Sequence, residues 1–191
     1  MCATRWRKPR LSASSPNKGR DLSIDASELL PATPAEPVVW QFADLHEDLL
    51  DELLLIENTS YSNPWTRGNF LDAVKSEYRC QVLLWGEGAA ARIAGYFIAM
   101  AGYEEAHLLN IAVAPCYRGQ GVALVLLNQL CLWARSQNLD YLWLEVRRSN
   151  LRAQKLYKDY GMQQVGERKE YYPVEDGTRE DALVLTYQLR Q

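Results

Sequence analysis

Four features in the second half of the chain have the types and spacing to do chemistry together. They are the turn Arg118-Gly119-Gln120-Gly121-Val122-Ala123, Glu145, Asn150 and Tyr157. The turn follows an apolar, strand-like run, Leu108-Leu109-Asn110-Ile111-Ala112-Val113, and leads into an apolar helical run. A Gly-rich turn at a helix N-terminus exposes backbone N–H donors that no intrahelical carbonyl can reach. With the positive end of the helix dipole, those donors suit a phosphate. Gly119 and Gly121 let backbone and ligand approach without a Cβ between them, and Arg118 adds a charged fork. An ordinary strand-to-helix connection would read the same way. The spacing is neither GxxxxGK(S/T) nor GxGxxG, which excludes a P-loop and a Rossmann fingerprint.

Glu145 is the one carboxylate in Tyr141-Leu142-Trp143-Leu144-Glu145-Val146-Arg147, where it shares a strand face with Tyr141, Trp143 and Arg147. Set among large apolar side chains, it is suited to general-base work. The competing reading is a strand-end glutamate paired with a nearby arginine. Tyr157 could donate a proton, because a phenol with an ordinary pKa of about 10 stays protonated at neutral pH. It also belongs to a helical stripe with Ala153, Leu156 and Tyr160, and on spacing alone core packing is the favoured reading. Asn150 is either the N-cap of that helix or an amide that bonds an extended ligand. His46 and His107 show no partner; His107 lies in a strand with no carboxylate in register.

The elements that must position these groups follow from periodicity. A first strand is expected over 38–42, then a helix capped at Ala43-Asp44 with apolar residues at Leu45, Leu49, Leu53 and Ile56. Ser62-Asn63-Pro64-Trp65-Thr66 interrupts it, and a second short helix carries Phe70, Leu71 and Val74. Strands over 80–85 and 93–100 flank Gly86-Glu87-Gly88, which is hairpin chemistry. A fourth strand over 106–113 enters the Gly-rich turn, and strand 140–147 follows the next helix. Asn150 opens the helix that Gly161 stops. Strands over 164–172 and 182–189 flank Glu175-Asp176-Gly177-Thr178. The sum is an α/β chain with a mixed sheet and helices on both faces. If consecutive elements are neighbours, the turn, Glu145 and Tyr157 meet near one end of that sheet.

Composition narrows the class. The 191 residues suffice for one ordinary domain plus an extension, which residues 1–37 supply with a Pro- and Ser-rich composition. Its six bases and no acids over residues 1–20 leave residues 21–191 with 15 bases against 24 acids. An acidic body of that kind is a poor nucleic-acid binder and a reasonable host for cationic substrates. No apolar run approaches the ~18 residues of a membrane span. The four cysteines form no CxxC pair and there are only two histidines, so neither a metal site nor a disulfide framework is expected. Reduced thiols point to the cytoplasm, with organelle targeting by the Arg- and Ser-rich start as the alternative.

Several separated motifs resemble the GNAT acetyltransferase superfamily, whose acetyl-CoA signature Arg118-Gly119-Gln120-Gly121-Val122-Ala123 satisfies. Asn110-Ile111-Ala112-Val113, Leu142-Trp143-Leu144-Glu145-Val146-Arg147, Ser149-Asn150 and Tyr171-Tyr172-Pro173 are similar to its ribosomal-protein alanine N-acetyltransferase (RimI-type) branch. Asn63-Pro64-Trp65-Thr66 and Phe70 match the early helix of that branch. The likeness covers about residues 38–189. Ala114 stands where an acid is common, and Met162 where Phe is usual.

The resemblance implies splayed central strands that form an acetyl-CoA cleft. Ile111, Ala112 and Val113 would lend backbone groups to the pantetheine arm, with the Val113 N–H on the thioester carbonyl. Residues 118–123 would cradle the pyrophosphate and Asn150 would bond the arm. Glu145, directly or through water, would deprotonate the incoming amine, and Tyr157 would protonate the leaving thiolate. Pro64, Trp65, Tyr171 and Tyr172 would shape the acceptor groove. The expected activity is acetyl transfer, without metal, to the N-terminal alanine of a small-subunit ribosomal protein, by a monomer or weak dimer. The alternatives are a GNAT enzyme of lysine side chains or small amines, and a non-catalytic acyl-CoA-binding module.

Overall fold

The strands β1 (Trp40–Asp44), β2 (Arg79–Trp85), β3 (Arg92–Ala101), β4 (Glu105–Val113), β5 (Tyr141–Arg147), β6 (Gln163–Pro173) and β7 (Arg179–Gln188) form one sheet. Their order is β1-β2-β3-β4-β5-β7-β6. The computed structural model describes residues 39–174 and 176–190, so the expected extension over 1–37 and Glu175 lie outside the described residues. Every neighbouring pair is antiparallel except β4 and β5. A parallel pair needs a crossover, and α3 (Val122–Ser136) supplies it.

Helices cover both faces, as the alternation of periods requires. On one face α1 (Leu50–Asn58) and α2 (Arg67–Lys75) bury Leu50, Leu53, Ile56, Phe70 and Ala73 against Val82, Tyr96 and Ile98. On the other, α3 and α4 (Leu151–Tyr160) bury Leu126, Leu127, Leu130 and Tyr157 against Phe97, Ala106, Leu142 and Leu144. Thr66 caps α2 in a reciprocal capping box with Asn69. Cys80, Cys116 and Cys131 are free thiols. Among the described residues no helix is long and apolar enough to cross a membrane.

The chain departs from expectation near its first helix. Asp44 does not cap it; β1 runs on through Asp44, which pairs with Gln81 of β2 and forms an ion pair with Arg79 at 3.2 Å. A 3-10 turn, Glu47–Leu49, then leads into α1. The antiparallel register holds Asp44 beside Arg79, two strand positions from its partner Gln81.

Two irregularities of β4 prepare the site. Its register with β3 shifts between Ile98 and Ala99, leaving Leu109 as the extra residue of a bulge. A bulge re-aims the strand: Ala106 and Leu108 pack toward α3, whereas Leu109 and Ala112 pack toward α1 and α2. Pairing with β5 then runs only from Glu105↔Tyr141 to Leu108↔Leu144, and beyond it the two strands part.

Gly95 of β3 lets β4 approach at this point, since a Cβ there would lie 2.7 Å from the Ala112 carbonyl oxygen and 3.0 Å from Leu126 Cδ1. Gly95→Ala is expected to destabilise the fold by about 2 kcal/mol, measured as a lower urea midpoint at unchanged m-value.

Candidate active site

The parted strands open two connected clefts. One, of about 430 Å³, is lined by Glu57, Trp65, Asn110, Glu145, Arg147 and Tyr172 among others. The second, of about 470 Å³, runs along β4 to the start of α3 and includes Val113, Arg118, Gly119, Gly121, Val122 and Ala123. Ser60, Tyr61, Ile111, Asn150, Ala153 and Tyr157 line both, so the clefts meet at these residues.

The edge of β4 forms a wall of the second cleft. The Ala114 N–H donates to the Ala94 carbonyl of β3 at 2.9 Å. Backbone groups alternate between the two edges of a strand, so Ala112 also faces β3, while Ile111 and Val113 face the cleft. Ala112 lines the second cleft together with Ile111 and Val113, and its carbonyl lies over Gly95. The Tyr61 hydroxyl donates to the Ile111 carbonyl at 2.5 Å, and Arg118 Nε donates to the Val113 carbonyl at 3.0 Å. What these two residues leave toward the cleft is their N–H groups.

The Gly-rich turn has the expected geometry. Gly119 and Gly121 adopt φ of +78° and +83°, values that side chains with a Cβ rarely adopt. No backbone carbonyl among the described residues accepts from the N–H groups of residues 119–123. Two expectations change here. Arg118 is not a free fork: besides Val113 it donates through Nη2 to Ser60 Oγ at 2.9 Å, strapping the turn to the end of α1. Gln120 does not line the cleft, and its Nε2 donates to the Cys116 carbonyl at 2.8 Å.

Glu145 lines the first cleft but is not surrounded by apolar groups alone. Its Oε1 lies 3.1 Å from Nη2 of Arg168 on β6, and its side chain is 15% exposed against 52% for Arg168. Glu145 thus has an arginine partner and lines the cleft at once. The Tyr172 hydroxyl donates to the Glu145 carbonyl at 3.1 Å. Tyr157 is buried where the clefts join, and burial, with Tyr172 nearby, holds its phenol above the ordinary value. Asn150 serves as N-cap, its Oδ1 accepting from the Ala153 N–H at 3.1 Å.

Of the acceptor-groove residues, Trp65 and Tyr172 line the first cleft; Pro64 and Tyr171 do not. Tyr171 is exposed, edge-on to Tyr172, with the Arg168 guanidinium 5.4 Å from its ring centre. Arg147 stacks 4.4 Å over Tyr172 and donates to the Pro173 carbonyl. Asn63 donates to that same carbonyl at 2.9 Å, which ties the α1–α2 loop to the β6–β7 hairpin. His107 also gains a partner that sequence reading missed: Glu105, two residues back on the same face, at 2.9 Å.

The sequence reading overlooked Glu57, although it carries a signal: a carboxylate four residues after Leu53 and seven after Leu50, on the apolar stripe of α1. It is only 1% exposed. Its Oε1 accepts from the Trp65 N–H at 2.7 Å and from Asn110 Nδ2 at 3.2 Å, and its Oε2 accepts from the Tyr96 hydroxyl. One side chain thus joins α1, β3, β4 and the loop carrying Trp65. Tyr61 and Arg168, which come from distant parts of the chain, carry no comparable signal.

The acetyltransferase (GNAT) family model matches residues 45–162. The ribosomal protein bS18-alanine N-acetyltransferase of Haemophilus ducreyi is 36% identical over 143 residues, 75% of this chain and 96% of the relative. That of Escherichia coli K12 is 35% identical over 130 residues, 68% and 84% of the two chains. The crystal structure of the ribosomal-protein-S18-alanine N-acetyltransferase from Escherichia coli superposes with a TM-score of 0.70 at 31% identity, covering 80% of this chain and 96% of that one.

Replacing the buried hub tests its weight in the site's frame. Glu57→Leu strands the Trp65 N–H, Asn110 Nδ2 and Tyr96 hydroxyl without their acceptor, and should cost about 3 kcal/mol or more. Chemical denaturation measures this, and loss of amide-exchange protection at Trp65 should accompany it.

Proposed function

The chain belongs to the acetyltransferase (GNAT) family and is an acyltransferase, and from that premise we propose that it acetylates the N-terminal alanine of ribosomal protein bS18, with acetyl-CoA as donor. The observation that carries this reading is the parting of β4 and β5 into two clefts that meet at Tyr157, Asn150 and Ile111. The acceptor follows from what the relatives act on. The acidic body, with its preference for cationic partners, agrees with an amine acceptor.

The second cleft fits the donor. Its N–H groups at residues 119–123 meet no backbone carbonyl among the described residues, the arrangement an anionic pyrophosphate satisfies. Ile111 and Val113 offer N–H groups along an unpaired strand edge, suited to an extended arm that adds to it like a strand. Val113 N–H is the donor for the thioester carbonyl. Asn150 keeps its Nδ2 available for the arm while its Oδ1 caps α4. Bound there, acetyl-CoA supplies an acetyl group activated as a thioester.

In the first cleft Glu145 takes the proton of the α-ammonium, directly or through water. Tyr157 holds a proton at its hydroxyl for the departing sulfur, and its raised pKa keeps that proton in place. No cysteine or histidine lines either cleft, so the amine attacks directly rather than through an acylated side chain. Trp65 and Tyr172 shape the groove, with Pro64 and Tyr171 flanking it.

Glu145→Gln and Tyr157→Phe should each lower kcat by about 10²–10⁴-fold while leaving acetyl-CoA affinity near wild type, read by CoA release and calorimetry. Peptides with the bS18 N-terminal alanine should be turned over in preference to lysine peptides and polyamines; acetylation of the small amines alone would sink the ribosomal assignment. The sign of the pH effect follows from Tyr157. A phenol whose pKa is raised stays protonated through the ordinary range, so kcat should show no fall from loss of this acid between pH 7 and about 10, as a pH–rate profile will read.

A further inference from the structure

Arg152, the second residue of α4, lines the donor cleft with an exposed side chain. Among the described residues it makes no ion pair or hydrogen bond. Three other cations of this region are engaged. Arg148, four residues earlier and before the helix, pairs with Glu167 and Asp181; Lys155, one turn later, pairs with Asp159. Arg118, from the turn, is held by Val113 and Ser60.

The position of Arg152 is unfavourable for the helix itself. The first turn carries the positive end of the helix dipole, where a cation is disfavoured. Its helical neighbours three and four residues on are Lys155 and Leu156, so no acid on the adjoining turn of α4 relieves it. In a body with 24 acids over residues 21–191, an unpaired guanidinium at that place and facing a cleft is explained by an external anion.

We propose that Arg152 is a donor-binding residue that recognises the 3′-phosphate of the CoA moiety, an inference that rests on acetyl-CoA being the donor. That donor carries phosphate at two places, a pyrophosphate and a 3′-phosphate monoester. The bare N–H groups of residues 119–123 account for the first. Arg152 comes from a different helix, and a planar guanidinium binds a phosphate monoester through paired, charge-assisted hydrogen bonds. Arg118, already bound to a carbonyl and a hydroxyl, straps the turn and is not the phosphate's cation.

The test compares acetyl-CoA with its 3′-dephospho analogue in the full-length protein, using one acceptor peptide and the variants Arg152→Gln and Arg152→Lys. For Arg152→Gln, KM for acetyl-CoA should rise about tenfold, as expected for one lost charge-assisted contact, with kcat unchanged. Arg152→Lys should recover part of the loss. With the dephospho analogue, wild type should show the same weakening and Arg152→Gln no further change. Unaltered KM in Arg152→Gln, or an equal loss with both donors, overturns the assignment while leaving the donor reading intact. Failure of the wild-type protein to bind acetyl-CoA in calorimetry would overturn the donor reading and this inference with it.

Discussion

The parting of β4 from β5 after four paired positions is the constraint on which the rest of the structure depends. Opening a sheet from within leaves backbone carbonyls and N–H groups that must find other partners. On the β4 wall the Tyr61 hydroxyl takes the Ile111 carbonyl, and on the β5 wall the Tyr172 hydroxyl takes the Glu145 carbonyl. Two phenols thus satisfy acceptors that a continued ladder would have used. The donors on the β4 edge are left facing the cleft, which is the polarity an extended, carbonyl-bearing ligand complements. The Leu109 bulge and the Glu57 hub act on the same wall, one by turning β4 toward α1 and the other by fastening Asn110 to it.

The Gly-rich turn is governed by the same accounting of backbone groups. With positive φ at Gly119 and Gly121, the N–H groups of residues 119–123 meet no backbone carbonyl among the described residues. Arg118 then fixes the turn's place instead of adding charge to its mouth: its guanidinium reaches β4 and the residue following α1. The cradle is built from backbone and glycine, and the arginine beside it is a strap.

Much of this was legible in the sequence because it is local. Period-two stripes place six of the strands to within two residues, and the apolar stripe of the helix after the Gly-rich turn is equally plain, whereas the first helix starts at Leu50 rather than after Asp44. Asn150 read as a cap because an N-cap is a neighbour-to-neighbour interaction. What could not be read involves partners brought together by the sheet order. Arg168 meets Glu145 because β7 lies between β5 and β6, with Ala182 facing both Arg147 and Arg168. Asp44 was taken for a cap because its strand partner lies 37 residues away at Gln81. That the Ala112 carbonyl turns toward β3 follows from a bulge and from the side of β4 that Ala114 presents to β3, neither of which periodicity reports. Glu57 was the avoidable miss, since a carboxylate on an apolar stripe requires buried donors.

The Glu145–Arg168 pair bears most directly on the proposed chemistry, because a base already joined to a cation has a competitor for the incoming ammonium. The contact is a single one, Nη2 to Oε1, and Arg168 is half exposed. A pair with one partner in water is worth about 1 kcal/mol or less, far below the cost of leaving a carboxylate buried without any partner. The guanidinium also lies within cation–π range of Tyr171, outside the cleft. Arg168 therefore compensates Glu145 at a strength that a second cation can match, and it has a neighbouring aromatic surface to rest against when the carboxylate is shared. An arginine in the position of Arg147, locked by Glu180, the Pro173 carbonyl and the Tyr172 ring, could not yield in that way. The two arginines differ in how many contacts hold them, and Glu145 is paired with the one held by fewer.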